Sequence, residues 1–156
     1  MAQVYTAPAY IPRENIYTLF LAGAIDMGRA ENWQQAVIAG LESRDDLIIL
    51  NPRRVAFNNM SPELADEQML WEFDALERAN TVFMWFPGNS TAHTSFFEAG
   101  FYWQSGKLFV GADPQYHRYR YLQLMADRYR IELHSSLSMM IDRLLHYGTV
   151  PARVGK

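Results

Sequence analysis

Short apolar runs alternate with helix-like patterns along this chain. Four runs have the length and composition of buried parallel strands, at residues 16–25, 46–52, 81–87 and 107–112. Apolar residues three or four apart predict helices between and after them, at 30–44, 63–79, 95–105, 119–129 and 136–147, with a short strand near 131–133. This alternation implies right-handed crossovers and a parallel sheet of about five strands covered by helices on both faces.

The loops after the strands are the expected place for a ligand. In open α/β sheets, ligands bind beyond the carboxyl ends of the strands, near the point where the strand order reverses. This rule directs attention to four segments: Gly23–Gly28, Asn51–Phe57, Pro87–Ser95 and Ala112–Arg120.

We interpret the chain as a single domain of residues 16–150 that follows an N-terminal extended arm of residues 1–15. It has 156 residues and contains no repeat, low-complexity tract or linker. Hydrophobic residues make up 49% and charged residues 20%, as in globular proteins.

Charge and composition narrow the classes of function. A net charge of −3 disfavours binding to a nucleic acid polymer through phosphate attraction, but it leaves a small anionic substrate open. The absence of cysteine excludes disulfide and thiolate chemistry. No apolar run approaches the roughly 18 residues of a membrane span, and the N-terminus lacks signal-peptide features. We therefore expect a cytoplasmic protein without a membrane partner.

The pattern gives no reason to expect a metal or a cofactor. His117, His134 and His146 are too scattered along the sequence to indicate a metal site. His93, in the loop before the third predicted helix, could donate to a 5′ oxygen or be a solvated loop residue. Neither a dinucleotide-binding nor a P-loop glycine pattern is present.

One acidic residue, Glu72, falls on the apolar side of the predicted helix 63–79. Helical spacing aligns it with an apolar stripe that consists of Ala65, Met69, Phe73, Leu76 and Ala79. Glu72 is therefore an acid aimed inward. The alternative is a residue at the margin of the stripe whose carboxylate reaches solvent.

A second acid, Glu98, lies within the aromatic stretch "SFFEAGFYW" at residues 95–103. Burying an unpaired carboxylate is costly, so its presence there needs a reason. One reading is a capping box, in which Glu98 bonds back to the amide of Ser95. The other is an active-site acid, because this helix starts beyond the end of the third predicted strand.

If both acids face one cleft, burial raises the pKa of one while helix amides and hydrogen bonds keep the other ionised. Cleavage of a glycosidic bond uses such a pair, one to attack or stabilise the sugar carbon and one to protonate the leaving group.

Four segments of the chain resemble the nucleoside 2-deoxyribosyltransferase family, over about residues 16–125. They are "FLAGAID", "LNPRR", "WEFDALERANTVFMWFP" and "STAHTSFFEAGFYWQSGKLFVG". The resemblance implies a flavodoxin-like or Rossmann-like three-layer fold and cleavage of the N-glycosidic bond of a 2-deoxyribonucleoside. It also implies a homo-oligomer with shared active sites.

Family resemblance assigns roles to particular residues. Glu98 matches the glutamate that attacks the anomeric carbon, and Glu72 matches the acid that assists at the base. The segment from Gly23 to Asp26 matches the strand end that lies against the sugar. Gln123 and Met125 match a stretch that a neighbouring subunit contributes to the site.

Several other side chains are candidates for substrate contacts. Phe57, Trp85 and Phe86 could stack on the base, although strand aromatics also serve as core. Arg53 and Arg54 could bind a phosphate or a base carbonyl, or form surface salt bridges. The hydroxyl residues near a 5′ oxygen or phosphate are Ser90, Thr91, Thr94 and Ser95.

The chain departs from the family pattern at three positions. Ala92 stands where transferases usually carry an aspartate near the 5′ oxygen and where nucleotide hydrolases carry a serine. Phe20 replaces the tyrosine that orients the nucleophile, so that Tyr17 or Tyr102 would have to take its place. Asp26 stands where those hydrolases place an arginine.

Three functions are compatible with this sequence. The leading hypothesis is transfer of a deoxyribosyl group from a nucleoside to a free nucleobase through a covalent glycosyl-glutamate intermediate. A second is hydrolysis of deoxynucleosides or their 5′-monophosphates. A third is a non-catalytic nucleotide-binding module, which the loss of the family's tyrosine and aspartate favours.

Overall fold

The computed structural model describes residues 1–26, 29–54 and 60–147, and within these ranges one parallel sheet carries five helices. The strands are β1 (Gln3–Thr6), β2 (Tyr17–Gly23), β3 (Leu47–Asn51), β4 (Thr81–Phe86), β5 (Leu108–Ala112) and β6 (Leu133–His134). The helices are α1 (Trp33–Gly40), α2 (Pro62–Arg78), α3 (His93–Tyr102), α4 (Tyr119–Tyr129) and α5 (Leu137–Tyr147). The α/β prediction from the sequence is confirmed.

The strand order is β1-β3-β2-β4-β5-β6, and every neighbouring pair is parallel. The chain moves from β2 to β3 on one side and then to β4 on the other, so the winding direction reverses at β2. This is a flavodoxin-like or Rossmann-like order with one additional edge strand. The carboxyl ends of β2 and β4 therefore flank the switch point at which such folds bind ligands.

Both faces of the sheet are buried, because successive strand residues point to opposite sides. From β2, Phe20 and Ala22 enter a core formed with α2, α3 and α4. Leu19 and Leu21 enter a second core formed with α1 and α5. Two buried faces explain why the strands are continuous apolar runs rather than alternating ones.

The N-terminal segment takes part in the fold. Residues Gln3–Thr6 form β1, which pairs with Ile48–Asn51 of β3. The sequence predicted an extended arm here and not a strand of the sheet. Beyond β1, the segment runs against α2, where the indole of Trp71 donates to the Ala9 carbonyl at 2.7 Å. Arg78 likewise donates to the Ile11 carbonyl at 2.7 Å. These contacts hold the first residues against the helix that carries Glu72.

Helix α2 begins as its sequence indicates, with the Ser61 side chain accepting from the Leu64 amide and Pro62 in the first turn. Its predicted apolar stripe is wrong in part, since Met69 is 46% and Phe73 56% exposed. The buried face instead runs through Gln68, Trp71, Ala75 and Leu76. Apolar spacing could not predict this face, because it includes the polar residue Gln68, which is buried with its amide hydrogen-bonded. The position of Glu72 fits both the predicted stripe and the observed buried face.

Candidate active site

A cavity of about 440 Å³ opens at the switch point between β2 and β4, within the usual size range of ligand sites. It receives residues from the end of β2, the loop after β3, helix α2 and the start of α3. Its wall is formed by Phe20, Ala22, Gly23, Ala24, Ile25, Asp26, Arg29, Pro52, Glu72, Thr91, Ala92, His93, Thr94, Ser95 and Glu98. Three of the four loops expected to hold a ligand thus contribute to it.

The fourth loop, after β5, supports the cavity from behind. The Tyr116 hydroxyl donates to the Thr91 carbonyl at 3.3 Å, and the Tyr116 ring packs 5.0 Å from that of Phe86. No residue of this loop is on the cavity wall.

Glu72 reaches the cavity from α2 and is held there by a polar chain. The Gln68 amide nitrogen donates to Glu72 Oε1 at 2.6 Å and to the Pro52 carbonyl at 2.8 Å. The Gln68 oxygen in turn accepts from Arg54 Nε at 2.7 Å, which fixes the orientation of the amide. Burial raises the pKa of Glu72, while the Gln68 hydrogen bond and the charge of Arg54 limit the rise.

Glu98 faces the same cavity from α3, but it accepts no hydrogen bond from any residue in the described part of the chain. Burial, and after it the charge of Glu72, raises the pKa of Glu98 to about 8. Phe20, which also lines the cavity, offers an aromatic ring without a hydroxyl. The carboxyl group is therefore mostly protonated at neutral pH.

The capping-box reading of Glu98 is wrong. Helix α3 starts at His93, two residues before the predicted start, so Ser95 lies inside its first turn and is not the cap residue. The N-cap is Ala92, in the left-handed conformation with φ of 49°. An alanine cannot provide a side-chain cap, and the pattern S-x-x-E gave a false boundary here.

Asp26 performs the capping from the loop after β2. Its carboxylate accepts from the Thr91 amide at 2.8 Å, the Thr91 hydroxyl at 2.9 Å and the Ala92 amide at 3.1 Å. Burial alone would raise the pKa of Asp26, but the hydrogen bonds from Thr91 and Ala92 hold it below its usual value. Asp26 is thus ionised and fixed at the start of α3.

Gly23 ends β2 where the strand and α1 approach closely. Its φ is +139°, and a Cβ there would lie 2.3 Å from the Trp85 carbonyl oxygen and 2.7 Å from the Trp33 ring. The Trp33 indole donates to the Ala24 carbonyl at 3.0 Å and fixes the start of the following loop. A glycine is required here so that the chain can turn along the cavity wall.

Both candidate arginines make hydrogen bonds within the protein. Arg53 donates to the Glu31 carbonyl at 2.9 Å and the Ala30 carbonyl at 2.7 Å, which ties the loop before α1 to the end of β3. Arg54 bonds Gln68 and pairs with Glu67 at 3.3 Å. Neither is on the cavity wall, so Arg54 acts on the site through its hydrogen bond to Gln68 and through its charge, and not by contact with the cavity.

Other predicted substrate contacts lie away from the cavity of this chain. Phe86 is fully buried between Phe96 and Tyr116, so a base cannot stack on it, and Trp85 is also core. The Ser90 hydroxyl is buried and donates to the Pro87 carbonyl at 2.7 Å. Thr94, in contrast, is on the cavity wall.

Gln123 and Met125 lie on α4, where Gln123 accepts from Arg120 at 2.7 Å and Met125 packs against the core. Phe57 lies outside the described residues. Two tyrosines were proposed to orient Glu98. Tyr17, at the start of β2, is hydrogen-bonded to Thr81 of β4 instead. Tyr102 makes no hydrogen bond to Glu98.

The sequence analysis missed several wall residues. Arg29 directly follows the selected segment Gly23–Gly28, and His93, considered as a donor to a 5′ oxygen, lies in the selected segment Pro87–Ser95. Gln68 had a signal that was overlooked, because it is a polar residue one helical turn before an inward acid.

Within the described ranges, no group of three or more His, Asp or Glu side chains is arranged to hold a metal ion. None of the helices in those ranges is both long and apolar enough to cross a bilayer.

Comparison with protein-family models shows which family the chain resembles. The family model described as "Nucleoside 2-deoxyribosyltransferase like" covers residues 16–116, which include β2 to β5 and every wall residue of the cavity. No match to this chain is found among curated proteins.

Proposed function

Because the chain belongs to the nucleoside 2-deoxyribosyltransferase-like family, we propose that it cleaves the N-glycosidic bond of a 2-deoxyribonucleoside and transfers the sugar to another nucleobase. The observation that carries this proposal is the presence of Glu72 and Glu98 on one cavity wall, close enough for the charge of one to raise the pKa of the other. Paired carboxylates with different surroundings suit two-step displacement at a sugar carbon.

In the proposed reaction, Glu98 attacks the anomeric carbon as the bond to the base breaks, giving a glycosyl ester. Glu72 donates a proton to the departing nitrogen. An incoming base then attacks the same carbon, releases its proton to Glu72 and frees Glu98. Two inversions give net retention.

The raised pKa of Glu98 adds one requirement to this mechanism. Glu98 holds a proton at neutral pH, yet only its ionised form can attack. The pair must therefore carry one proton in total, and that proton must pass from Glu98 to Glu72 or the base when substrate binds. Gln68 and Arg54 oppose this step moderately, since both stabilise ionised Glu72.

Hydrolysis is the second candidate function, because water can attack the glycosyl ester in place of a nucleobase. Transfer and hydrolysis share the first step, and they differ only in what attacks the ester.

The decisive experiment incubates a deoxynucleoside with and without a second nucleobase and resolves the products by chromatography. Transfer gives a new deoxynucleoside only when the acceptor is present. Free deoxyribose in equal amount under both conditions would show that the reaction is hydrolysis and not transfer. If the protein binds nucleosides but shows no turnover that is lost in Glu98→Ala, it is a binding module and not an enzyme. Asp74→Asn, on the solvent side of α2, serves as the control.

We further propose that the protein assembles as a homo-oligomer in the cytoplasm. Large apolar side chains are exposed on three neighbouring helices, including Leu70, Phe73, Phe97, Phe101, Tyr121 and Leu124. Gln123 and Met125 are not on this chain's own cavity wall, so they would contact substrate only in the site of another subunit. Light scattering that gives a monomer mass at micromolar concentration would contradict this assembly.

A further inference from the structure

The start of α3 carries an unusual arrangement for a nucleotide site. Backbone amides at the beginning of a helix, together with a neighbouring hydroxyl, are the groups that proteins use to bind phosphate. Here the Thr91 amide, the Thr91 hydroxyl and the Ala92 amide all donate to one carboxylate, that of Asp26, from a different loop. These donors are already satisfied by an anion of the protein itself.

This arrangement is held by the backbone as well as by hydrogen bonds. Asp26 has φ of 48° and Ala92 has φ of 49°, both in the left-handed region that residues other than glycine rarely adopt. The Tyr116 hydroxyl fixes the Thr91 carbonyl behind them. Displacing Asp26 from these donors would leave the start of α3 without a cap.

Resting on the proposed function, we infer that Asp26 is the specificity residue at the 5′ end of the sugar, and that it selects nucleosides with a free 5′-hydroxyl over their 5′-monophosphates. Glu98 lies about one helical turn beyond Thr94 on α3, so a furanose whose anomeric carbon is at Glu98 and whose base is toward Glu72 extends its other end toward the start of α3.

The hydrogen-bonding capacity of Asp26 fits a hydroxyl. A carboxylate has about four acceptor positions, and three are filled by Thr91 and Ala92. Oδ1 accepts two of these hydrogen bonds and Oδ2 accepts one, which leaves an acceptor position on Oδ2. A 5′-hydroxyl can donate to it, whereas a phosphate dianion has no proton to donate.

Charge points in the same direction. Among the described residues on the cavity wall, the carboxyl groups are those of Asp26, Glu72 and Glu98, and the permanent cation is Arg29. Arg29 is exposed, and its Nε is directed to the Asp26 carbonyl at 3.3 Å. A phosphate next to Asp26 would place like charges together in a partly desolvated site, which opposes binding.

The test measures binding of one deoxynucleoside and its 5′-monophosphate by calorimetry to the Glu98→Gln protein, in which turnover cannot obscure the result. We expect the nucleoside to bind at least about tenfold more tightly. Tighter binding of the monophosphate, or equal binding, overturns the inference. Steady-state kinetics of the unmodified protein should show the same order in kcat/KM.

Asp26→Asn gives a second readout. Removing the charge should raise the monophosphate-to-nucleoside affinity ratio at least about tenfold, while Asp113→Asn leaves it unchanged. Asp113 is the matched control, because it accepts a backbone amide on the loop after β5 but is not on the cavity wall. An unchanged ratio in folded Asp26→Asn, as checked by thermal unfolding, assigns Asp26 a purely structural role and overturns the inference.

The two proposals fail separately. If neither ligand is turned over but the nucleoside binds preferentially, the inference stands and the enzymatic function falls. If both are cleaved and the monophosphate is preferred, the enzymatic function stands and Asp26 is not the specificity residue.

Discussion

The side-chain amide of Gln68 donates a 2.6 Å hydrogen bond to the carboxylate of Glu72, one helical turn away on α2. The oxygen of the same amide accepts from Arg54, so Gln68 links this cation to an acid of the candidate site, which the charge of Arg54 also reaches through space. This contact lowers the proton affinity of Glu72 against the opposing effect of burial.

Gln68→Met should therefore affect both stability and acidity. The substitution removes the acceptor of Arg54 and the donor to Glu72 in a buried site, with an expected loss of roughly 1–3 kcal/mol in the free energy of unfolding. Urea denaturation measures it, and Gln35→Met on the exposed side of α1 is the control. A loss equal to that of the control would mean that the Gln68 hydrogen bonds contribute nothing net.

The pH dependence of the reaction should be bell-shaped. The proposed active form of the Glu72–Glu98 pair holds one proton, which is lost as pH rises through about 8, the pKa of Glu98. The acidic limb lies above the usual glutamate range, because burial also raises the pKa of Glu72. We expect kcat/KM to fall on both sides.

Glu72→Gln should change the shape of this profile. Without the charge of Glu72, the pKa of Glu98 falls, and the activity that remains should rise with pH to a plateau. A profile of the unmodified protein that keeps rising beyond pH 9 would show that no proton from the pair is needed.

Glu98→Gln should make the protein more stable in alkaline solution. The folded-state pKa of about 8 lies above the unfolded value near 4.5, so the folded state binds more protons between these pH values. Stability of the unmodified protein therefore decreases as pH rises across that window and stays low above it. Replacing Glu98 by a neutral isostere removes this loss, an expected gain of roughly 2–5 kcal/mol at pH 9.

Near pH 4 the two proteins should have similar stability, because Glu98 is protonated in both the folded and the unfolded state. Chemical denaturation at both pH values measures the difference. A gain of equal size at pH 4 and pH 9 would assign the effect to packing.

Gly23→Ala should destabilise the fold and distort the cavity. The new Cβ meets backbone at the end of β4 and the Trp33 ring, and the φ of +139° strains any L residue. We expect a loss of about 3 kcal/mol or more, measured by thermal unfolding. Gly100→Ala is the matched control: a Cβ there meets nothing within 4 Å, and alanine is the better helix former.

Most of the sheet could be predicted from the sequence, because its strands are apolar on both faces and stand out as continuous runs. The strand at Gln3–Thr6 could not, since it is short, exposed on one side and defined only by its pairing with β3. Local pattern carries no information about such a long-range partner.

The candidate site shows a similar division. Glu72 and Glu98 were recognisable because carboxylates within apolar patterns demand an explanation. Phe86 was misplaced because an aromatic strand residue looks the same whether it faces a ligand or the core. For Arg54 the pattern left a ligand contact and a salt bridge equally open, and the structure shows the pairing with Glu67. The role of Asp26 as a cap for α3 depends on two loops that are distant in sequence, and only the fold brings them together.

The edges of the sheet limit how copies of this protein can associate. In the described part of the chain, the outermost strands are β1 with four residues and β6 with two, so few unpaired backbone groups are offered to another chain. Strand-to-strand extension, the usual route from a parallel sheet to fibrous aggregates, is thereby restricted. Contacts between copies are left to the helices, whose side chains can be selective where a bare backbone edge cannot.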